Sequence, residues 1–367
     1  MNDRGKSTQT QRCVPLIITE DVGLLDDLLR LSAAAGAKPE VHPGLPGPRA
    51  TWEEAPLVLV GADAVHRLRG VPRRTGVVLV GRDRDDAGLW RHAVELGADH
   101  VLTLPDDEQW LVDRIADVAE GTGRPAFTLG VVGGSGGAGA STLAGALAVT
   151  AARSGLRTML VDADPLGGGL DVLLGGESAP GLRWPDLAGS RGRVGGGALE
   201  ESLPELHALR VLSWDRGDAA AVPPEAVRAV LAAVRRRGGV VVVDLPRRAD
   251  EATQEALGQV DLGLLVVAPE LRAVAAATRV ATLTGRTLRD LRAAVRAPGP
   301  GAGGLGAEEV ARLLGLPLAG EVPRDPGLRT AQDTGAPPGR DPKSPLARFC
   351  AALWDRLPAV AELRGAR

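Results

Sequence analysis

Lysine is almost missing from this chain. It occurs three times in 367 residues, at Lys6, Lys38 and Lys343, and arginine supplies nearly all the other cations. Any site between Lys38 and Lys343 that needs a positive side chain must therefore use arginine. Cysteine is scarcer still: Cys13 and Cys350 lie in the two terminal segments. They have neither the number nor the spacing of a disulfide framework or a zinc site, and they fit a reducing compartment. No apolar run approaches the ~20 residues of a spanning helix. The first residues, MNDRGKSTQTQRCVPLIITE, lack the apolar core of a signal peptide, so the reading is a cytoplasmic protein. A formal net charge of -3 argues against wholesale nucleic-acid binding. The local run Arg235, Arg236 and Arg237 reads as a solvated helix end.

What is present is globular: 44% hydrophobic and 24% charged residues. A chain of this length predicts two domains. From Val14 to about Gly121, apolar runs (VPLIIT, PEVH, PLVLVG, GVVLVG, HVLTL) alternate with helical patterns such as GLLDDLLRLSAAAG, DAGLWRHAVELGA and DEQWLVDRIADVAEG. That alternation predicts a parallel five-stranded, flavodoxin-like α/β domain over 14–122, after a flexible tail at 1–13. GTGRP reads as a linker. A second series over 127–335 (AFTLGVVGG, TMLVDAD, LRVLSW, GVVVVDLP, LGLLVVAP, LRAAVRAP, LPLAGEVP) has the continuous Val and Leu content of strands buried on both faces. The fold class is thus α/β, two doubly wound parallel-sheet domains. GSRGRVGGGA and APGPGAGGLGAEE read as loops, and 336–367 as a Pro/Gly linker and a terminal amphipathic helix.

The chemistry lies in LGVVGGSGGAGASTLAGAL. A strand, a glycine-rich turn and a helix form a phosphate cradle when backbone N–H groups and the helix end face the anion, a lysine bridges the outer phosphates, and a hydroxyl ligates magnesium. Against that pattern GSGGAGAS opens at Gly134, closes at Gly139 and places Ser141 as the hydroxyl, with Ala140 where the lysine belongs. Downstream, VDADP carries Asp162 and Asp164, VVVVDLP carries Asp244, and GEVPRD carries Pro323.

These four ordered motifs resemble the MinD/ParA family of deviant Walker ATPases. On that resemblance Ser135 and Ala140 replace the family's two loop lysines. Gly134, Gly136, Gly137, Ala138, Gly139, Ala140, Ser141, Thr142 and Pro323 become nucleotide-binding positions, Ser141, Asp164 and Asp244 magnesium ligands, and Asp162 the residue that orients the attacking water. ATP or ADP with magnesium are the implied ligands. With both lysines gone, hydrolysis is expected to be weak or absent, because one lost preorganised donor costs roughly 3 to 4 kcal/mol. Arg247 or Arg248, or an arginine from a partner chain, are the candidates to restore the charge.

The first third resembles receiver domains, most visibly at ELGADHVLTLPDD. Gly61 stands at the phosphoacceptor position and Leu104 at the lysine position, with Glu20 and Asp21 as remnants of the acid cluster, so a pseudo-receiver without phosphotransfer is expected. Receiver-like domain, GGAGAST loop and LVDADPLGGGLDVLLG together resemble the Ssd/CpaE-like (TadZ-like) group. That implies a positional regulator of the septum or of a Tad-type pilus. It implies cell-division or pilus-assembly partners, a homodimer, and a cytoplasmic or peripheral septal or polar place. A slow ATPase and a ParA-like DNA-binding partition protein are the alternatives, DNA being the less expected partner.

In SPLARFCAALWDRL, Ser344 caps and Pro345 opens a helix whose Leu346, Phe349, Cys350, Leu353 and Leu357 share one face beside Trp354. Its mixed polar face favours packing on protein over a membrane surface, which remains the alternative.

Overall fold

The computed structural model describes residues 14–46, 49–68, 70–83, 86–119, 125–217, 222–248, 250–299 and 304–365. The tail read over 1–13, residues 121–124 of the GTGRP segment and residues 300–303 of the second glycine-rich loop lie outside the described residues. The chain divides into two compact units, Met1–Gly123 and Arg124–Arg367.

In the first unit, β1 (Leu16–Ile18), β2 (Glu40–His42), β3 (Val58–Gly61), β4 (Val77–Gly81) and β5 (His100–Thr103) form one parallel sheet ordered β2-β1-β3-β4-β5. This is the flavodoxin-like order. Alternate strand residues feed two cores. Leu16, Ile18, Val58 and Val60 pack with Trp52 and Leu89 on one face, while Ile17, Leu59, Val78 and Val80 pack with Leu28, Leu111 and Ile115 on the other. The helices Val22–Ala34, Ala87–Leu96 and Glu108–Ala119 fall on the patterns read from the sequence; the short Arg49–Glu54 helix and the 3-10 turn Ala62–Leu68 had no such signal.

The receiver-like acids have other work. Asp21 caps the Val22–Ala34 helix, accepting from the Gly23 and Leu24 N–H groups at 2.9 and 3.0 Å, and Glu20 pairs with Arg67. Asp63 fills the space over the end of β3, accepting from Thr19 Oγ1 and the Glu20 N–H, each at 2.7 Å. A Cβ on Gly61 would stand 2.2 Å from Asp63 Oδ1 and 2.6 Å from Thr19 Oγ1. The acceptor position is therefore closed by the packing as well as by the choice of residue.

The second unit holds β6 (Phe127–Gly133), β7 (Thr158–Asp162), β8 (Glu205–Leu206), β9 (Leu209–Leu212), β10 (Val240–Leu245), β11 (Leu262–Val267), β12 (Leu291–Arg296) and β13 (Leu318–Val322), ordered β13-β12-β11-β6-β10-β7-β9-β8. The strand pairs are parallel except β8 with β9, an antiparallel edge hairpin the sequence reading lacked. Its two turn residues, His207 and Ala208, both have positive φ, the conformation that a two-residue hairpin demands. β6, β7, β10 and β11 are buried on both faces almost throughout, which is why they read as continuous apolar runs. The GSRGRVGGGA stretch ends inside a helix, Gly196–Ser202, rather than being loop throughout.

The terminal helix, Pro345–Asp355, begins as read, with Ser344 Oγ accepting from the Ala347 N–H at 3.2 Å. It packs on the Ala140–Arg153 helix. Leu346, Cys350, Leu353 and Trp354 are buried there, and the Trp354 indole donates to the Leu147 carbonyl at 3.0 Å. Burial also pushes the Cys350 thiol up, so it stays protonated. The membrane reading is corrected accordingly, because the apolar face that a lipid surface would need is occupied by the chain's own helix. The preceding Pro/Gly segment is held as well, by Arg153 donating to the Gly339 and Arg340 carbonyls.

Trp354→Ala should destabilise the second unit by about 3–5 kcal/mol in urea unfolding, since a fully buried indole is removed; a loss under about 1 kcal/mol would contradict this packing. Gly61→Ala should cost the first unit about 1–3 kcal/mol by overpacking against Asp63 and Thr19. An unchanged unfolding midpoint would show that this space is not closed.

Candidate functional site

β6 runs straight into a glycine turn whose first residue, Gly134, has no room for a side chain. The Gly134 N–H donates to the Val266 carbonyl at 2.8 Å, and a Cβ there would stand 2.6 Å from Ala277 Cβ on the Leu271–Thr284 helix. Gly137 and Gly139 have φ of 69° and 93°, and the space where their Cβ atoms would project is open. Gly139 starts the Ala140–Arg153 helix without a side-chain cap. The first N–H groups of a helix have no intrahelical acceptor, and the helix dipole adds positive potential at that end. The turn thus presents donors to open space, as an anion cradle does. Ser135 and Ala140, at the lysine positions, bring no charge.

Three acids converge on this turn from the carboxyl ends of neighbouring strands. Asp244 on β10 is in register with Asp162 on β7, while β10 pairs on its other side with β6. Asp244 is buried and accepts a hydrogen bond from the Ser141 hydroxyl; burial first, with the nearby charges of Asp162 and Asp164, pushes its carboxyl up to about 7. Asp162 is buried too, and burial raises it to about 6 against hydrogen bonds that favour its ionised form. Those bonds come from the Asp164 N–H to Oδ1 at 3.2 Å, and from the Leu170 N–H and Ser213 Oγ to Oδ2 at 3.1 and 3.0 Å. Asp164 is half-buried and accepts from the Leu166 N–H at 3.1 Å.

Among the described residues no group of three or more His, Cys, Asp or Glu side chains is arranged to hold a metal by itself. Magnesium at a phosphate needs no such cage: it keeps several waters and takes one or two carboxylates besides the phosphate oxygens. A Ser hydroxyl hydrogen-bonded to a buried carboxylate beside an open N–H cradle fits that requirement.

On the other side of the turn lies a groove of about 750 Å³, lined by Gly137, Gly139, Thr142, Pro323 and the arginines 296, 324 and 329, among others. Pro323 is therefore at the site but across the turn from the acids. Of the two arginines that the sequence offers as substitutes for lysine, Arg248 is ion-paired with Asp250 at 2.6 Å. Arg247 stands beside the turn, its Nη2 3.6 Å from where a Gly136 Cβ would be. Arg296, at the end of β12, donates to the Gly137 carbonyl at 3.3 Å and had no sequence signal.

Other neighbours went unnoticed as well. The indoles of Trp184 and Trp214 both donate to the Asp162 carbonyl, at 2.6 and 3.1 Å, and line a cavity of about 320 Å³ behind it. Asp171, within LVDADPLGGGLDVLLG, is fully buried and forked by Arg216 at 2.6 and 2.9 Å. Ser213 lies between it and Asp162. No spacing in the sequence connects these residues, because separate crossovers bring them together.

Two family profiles match the chain. One, described as an Rv3660c-like, CheY-like N-terminal domain, covers residues 18–126, and the other, the CobQ/CobB/MinD/ParA nucleotide binding domain, covers residues 129–338. The uncharacterized protein Rv3660c of Mycobacterium tuberculosis is 43% identical over 86% of this chain and 90% of its own. The septum site-determining protein MinD of Bacillus subtilis is 23% identical over 58% of this chain and 82% of its own. Among solved structures, the septum site-determining protein MinD of Pyrococcus horikoshii complexed with Mg-ADP superposes with a TM-score of 0.55 at 19% identity, covering 65% of this chain and 98% of that one. With an intact glycine cradle, the acid-bearing strands beside it and a CheY-like domain ahead, the chain belongs to the CobQ/CobB/MinD/ParA family of nucleotide-binding domains.

Proposed function

We propose that this protein is a cytoplasmic positional regulator, acting at the septum or at a Tad-type pilus, that binds a magnesium–nucleotide and works mainly as a protein scaffold. One observation carries the reading. A glycine turn and an uncapped helix end that would cradle phosphates are present, while both loop positions that would stabilise phosphoryl transfer carry uncharged Ser135 and Ala140. The N–H groups from Gly136 to Thr142, other than that of Ala138, which donates to the Ser135 carbonyl at 3.3 Å, would take phosphate oxygens, with Pro323 in the groove beyond. Ser141 and Asp244, with Asp164 alongside, would hold magnesium, whose positive charge offsets that of the phosphates. Asp162 Oδ2 accepts two hydrogen bonds within the chain and Oδ1 one, so Oδ1 is the oxygen with acceptor capacity left for a water. The relatives named as septum site-determining proteins support the division role over the pilus role.

A scaffold needs surfaces for other proteins. On the first unit the Ala87–Leu96 helix exposes Trp90 and Val94, at 62% and 72%, one helical turn apart. That supports the pseudo-receiver as a docking or dimerisation surface. The DNA-binding alternative loses its patch: Arg235 and Arg237 are bonded to Asp261 and Glu200, and Arg236 to the Val194 carbonyl. The slow-ATPase alternative predicts magnesium-dependent turnover abolished by Asp162→Ala.

Calorimetry with ATP and ADP in magnesium should give dissociation constants on the order of micromolar, weakened at least about tenfold by Gly139→Val, which fills the cradle at a left-handed position. Absence of binding up to millimolar ATP would refute the nucleotide reading. Turnover should fall at least about a hundredfold below that of a lysine-bearing relative under the same conditions.

The two raised carboxyls also predict a pH dependence without ligand. Their ordinary value is 3.8 and their folded values are about 6 and about 7, so between these the folded chain holds protons that the unfolded chain has released. The stability they contribute is complete below 3.8 and is lost as pH rises through 6 and 7. Asp244→Asn should flatten the fall in unfolding free energy between about pH 4 and about pH 7, raising stability at the upper end. An unchanged slope would mean that Asp244 does not titrate there.

A further inference from the structure

The loop's missing charge has a substitute that the lysine motif does not describe. Arg296 closes β12, and its only hydrogen bond among the described residues is the one from Nη1 to the Gly137 carbonyl, at 3.3 Å. A guanidinium has five N–H donors, so most of its capacity is unused. No carboxylate lies within ion-pair distance of it among the described residues, whereas Arg292, on the same strand, is forked by Asp290 at 2.7 and 2.9 Å. Arg324 and Arg329 line the same groove, also without ion pairs among the described residues. Asp325, the groove's acid, accepts from the Gly327 N–H at 3.2 Å. On the opposite flank Arg247 is exposed and unpaired among the described residues, beside Gly136. Arg157, Arg216, Arg228 and Arg235 of the same unit are each held in an ion pair.

Uncompensated like charges around one cleft repel each other, and a polyanion in the cleft relieves that repulsion. A planar guanidinium matches two phosphate oxygens at once, which an ammonium does not. We propose that Arg296, with Arg247 across the turn, neutralises the outer phosphates of a bound nucleoside triphosphate in place of the lysines, the groove's Arg324 and Arg329 extending the positive surface. This rests on the nucleotide reading above and adds which residues carry the charge. Held at the rim by the Gly137 carbonyl, Arg296 grips the phosphates from the side of the groove. The acids Asp162 and Asp244 line the other side of the turn, so the arrangement serves retention more than hydrolysis.

The test is calorimetry on the full chain with ATP, ADP, AMP and inorganic triphosphate, for wild type, Arg296→Ala, Arg296→Lys, Arg247→Ala and, as control, Arg292→Ala. Arg296→Ala should weaken ATP and triphosphate about tenfold, the weight of one charge-assisted contact, and AMP by no more than about twofold. Arg296→Lys should recover part of the loss, Arg247→Ala should lose less, and Arg292→Ala should match wild type. The wild-type affinity for ATP should also fall steeply with salt. If wild type binds ATP and Arg296→Ala stays within about twofold of it, the arginine assignment is overturned and the nucleotide reading stands. If wild type binds neither ATP nor triphosphate, both fall. Circular dichroism of each variant separates a lost contact from a lost fold.

Discussion

The constraint on which the second unit turns is the in-register parallel pairing of three strands. β6, β10 and β7 end level with one another, so that the glycine turn, Asp244 and Asp162 arrive at one edge of the sheet without any loop having to reach for them. Parallel pairing requires that each strand be followed by a crossover, and those crossovers cover both faces. The edge at the carboxyl ends is therefore the place where polar groups can gather beside an otherwise dry sheet. Burial of the two acids follows from this. They sit buried at the carboxyl ends of apolar strands, which raises both carboxyls, and the compensating donors (Ser141, Ser213, the Leu170 N–H) come from the elements that follow the strands.

The same edge explains what was legible in the sequence. A strand buried on both faces must be apolar at every position, so β6, β7, β10 and β11 announce themselves, and an acid ending such a run is conspicuous. The cradle glycines are legible because each answers a local demand, close approach at Gly134 and left-handed backbone at Gly137 and Gly139. Illegible were the groups whose role depends on a neighbour brought from elsewhere. Arg296 has no local signature that separates it from Arg292 four residues earlier, yet one meets the turn and the other an aspartate on its own loop. Trp184 and Trp214 reach the Asp162 carbonyl from separate segments. In the terminal helix the apolar stripe was plain, but periodicity names a face and not what covers it. The identity of the cover, the Ala140–Arg153 helix, is a tertiary fact.

The first unit shows a second kind of constraint, an old site closed by packing. Once Gly61 leaves the end of β3 without a side chain, Asp63 can fold over it and tie down the β1 turn through Thr19 and the Glu20 N–H. Asp21 is then committed to a helix cap. The sheet keeps its order and its two cores while the polar end that would perform chemistry becomes structural. Trp90 and Val94 remain exposed and apolar on the flank of the Ala87–Leu96 helix.

The two units therefore differ in how a site survives the loss of its charged residue. In the first, Asp63 occupies the space over Gly61, and a side chain placed at 61 would clash with it. In the second, the space remained open. Gly137 and Gly139 face nothing, the helix end is uncapped, and the groove beside them holds guanidiniums without counter-ions among the described residues. In the empty protein Arg296, Arg324 and Arg329 share the groove with one carboxylate, Asp325, which leaves an excess of positive charge that repels itself. A cleft that stays both open and positive is better accounted for by a ligand that supplies the missing negative charge.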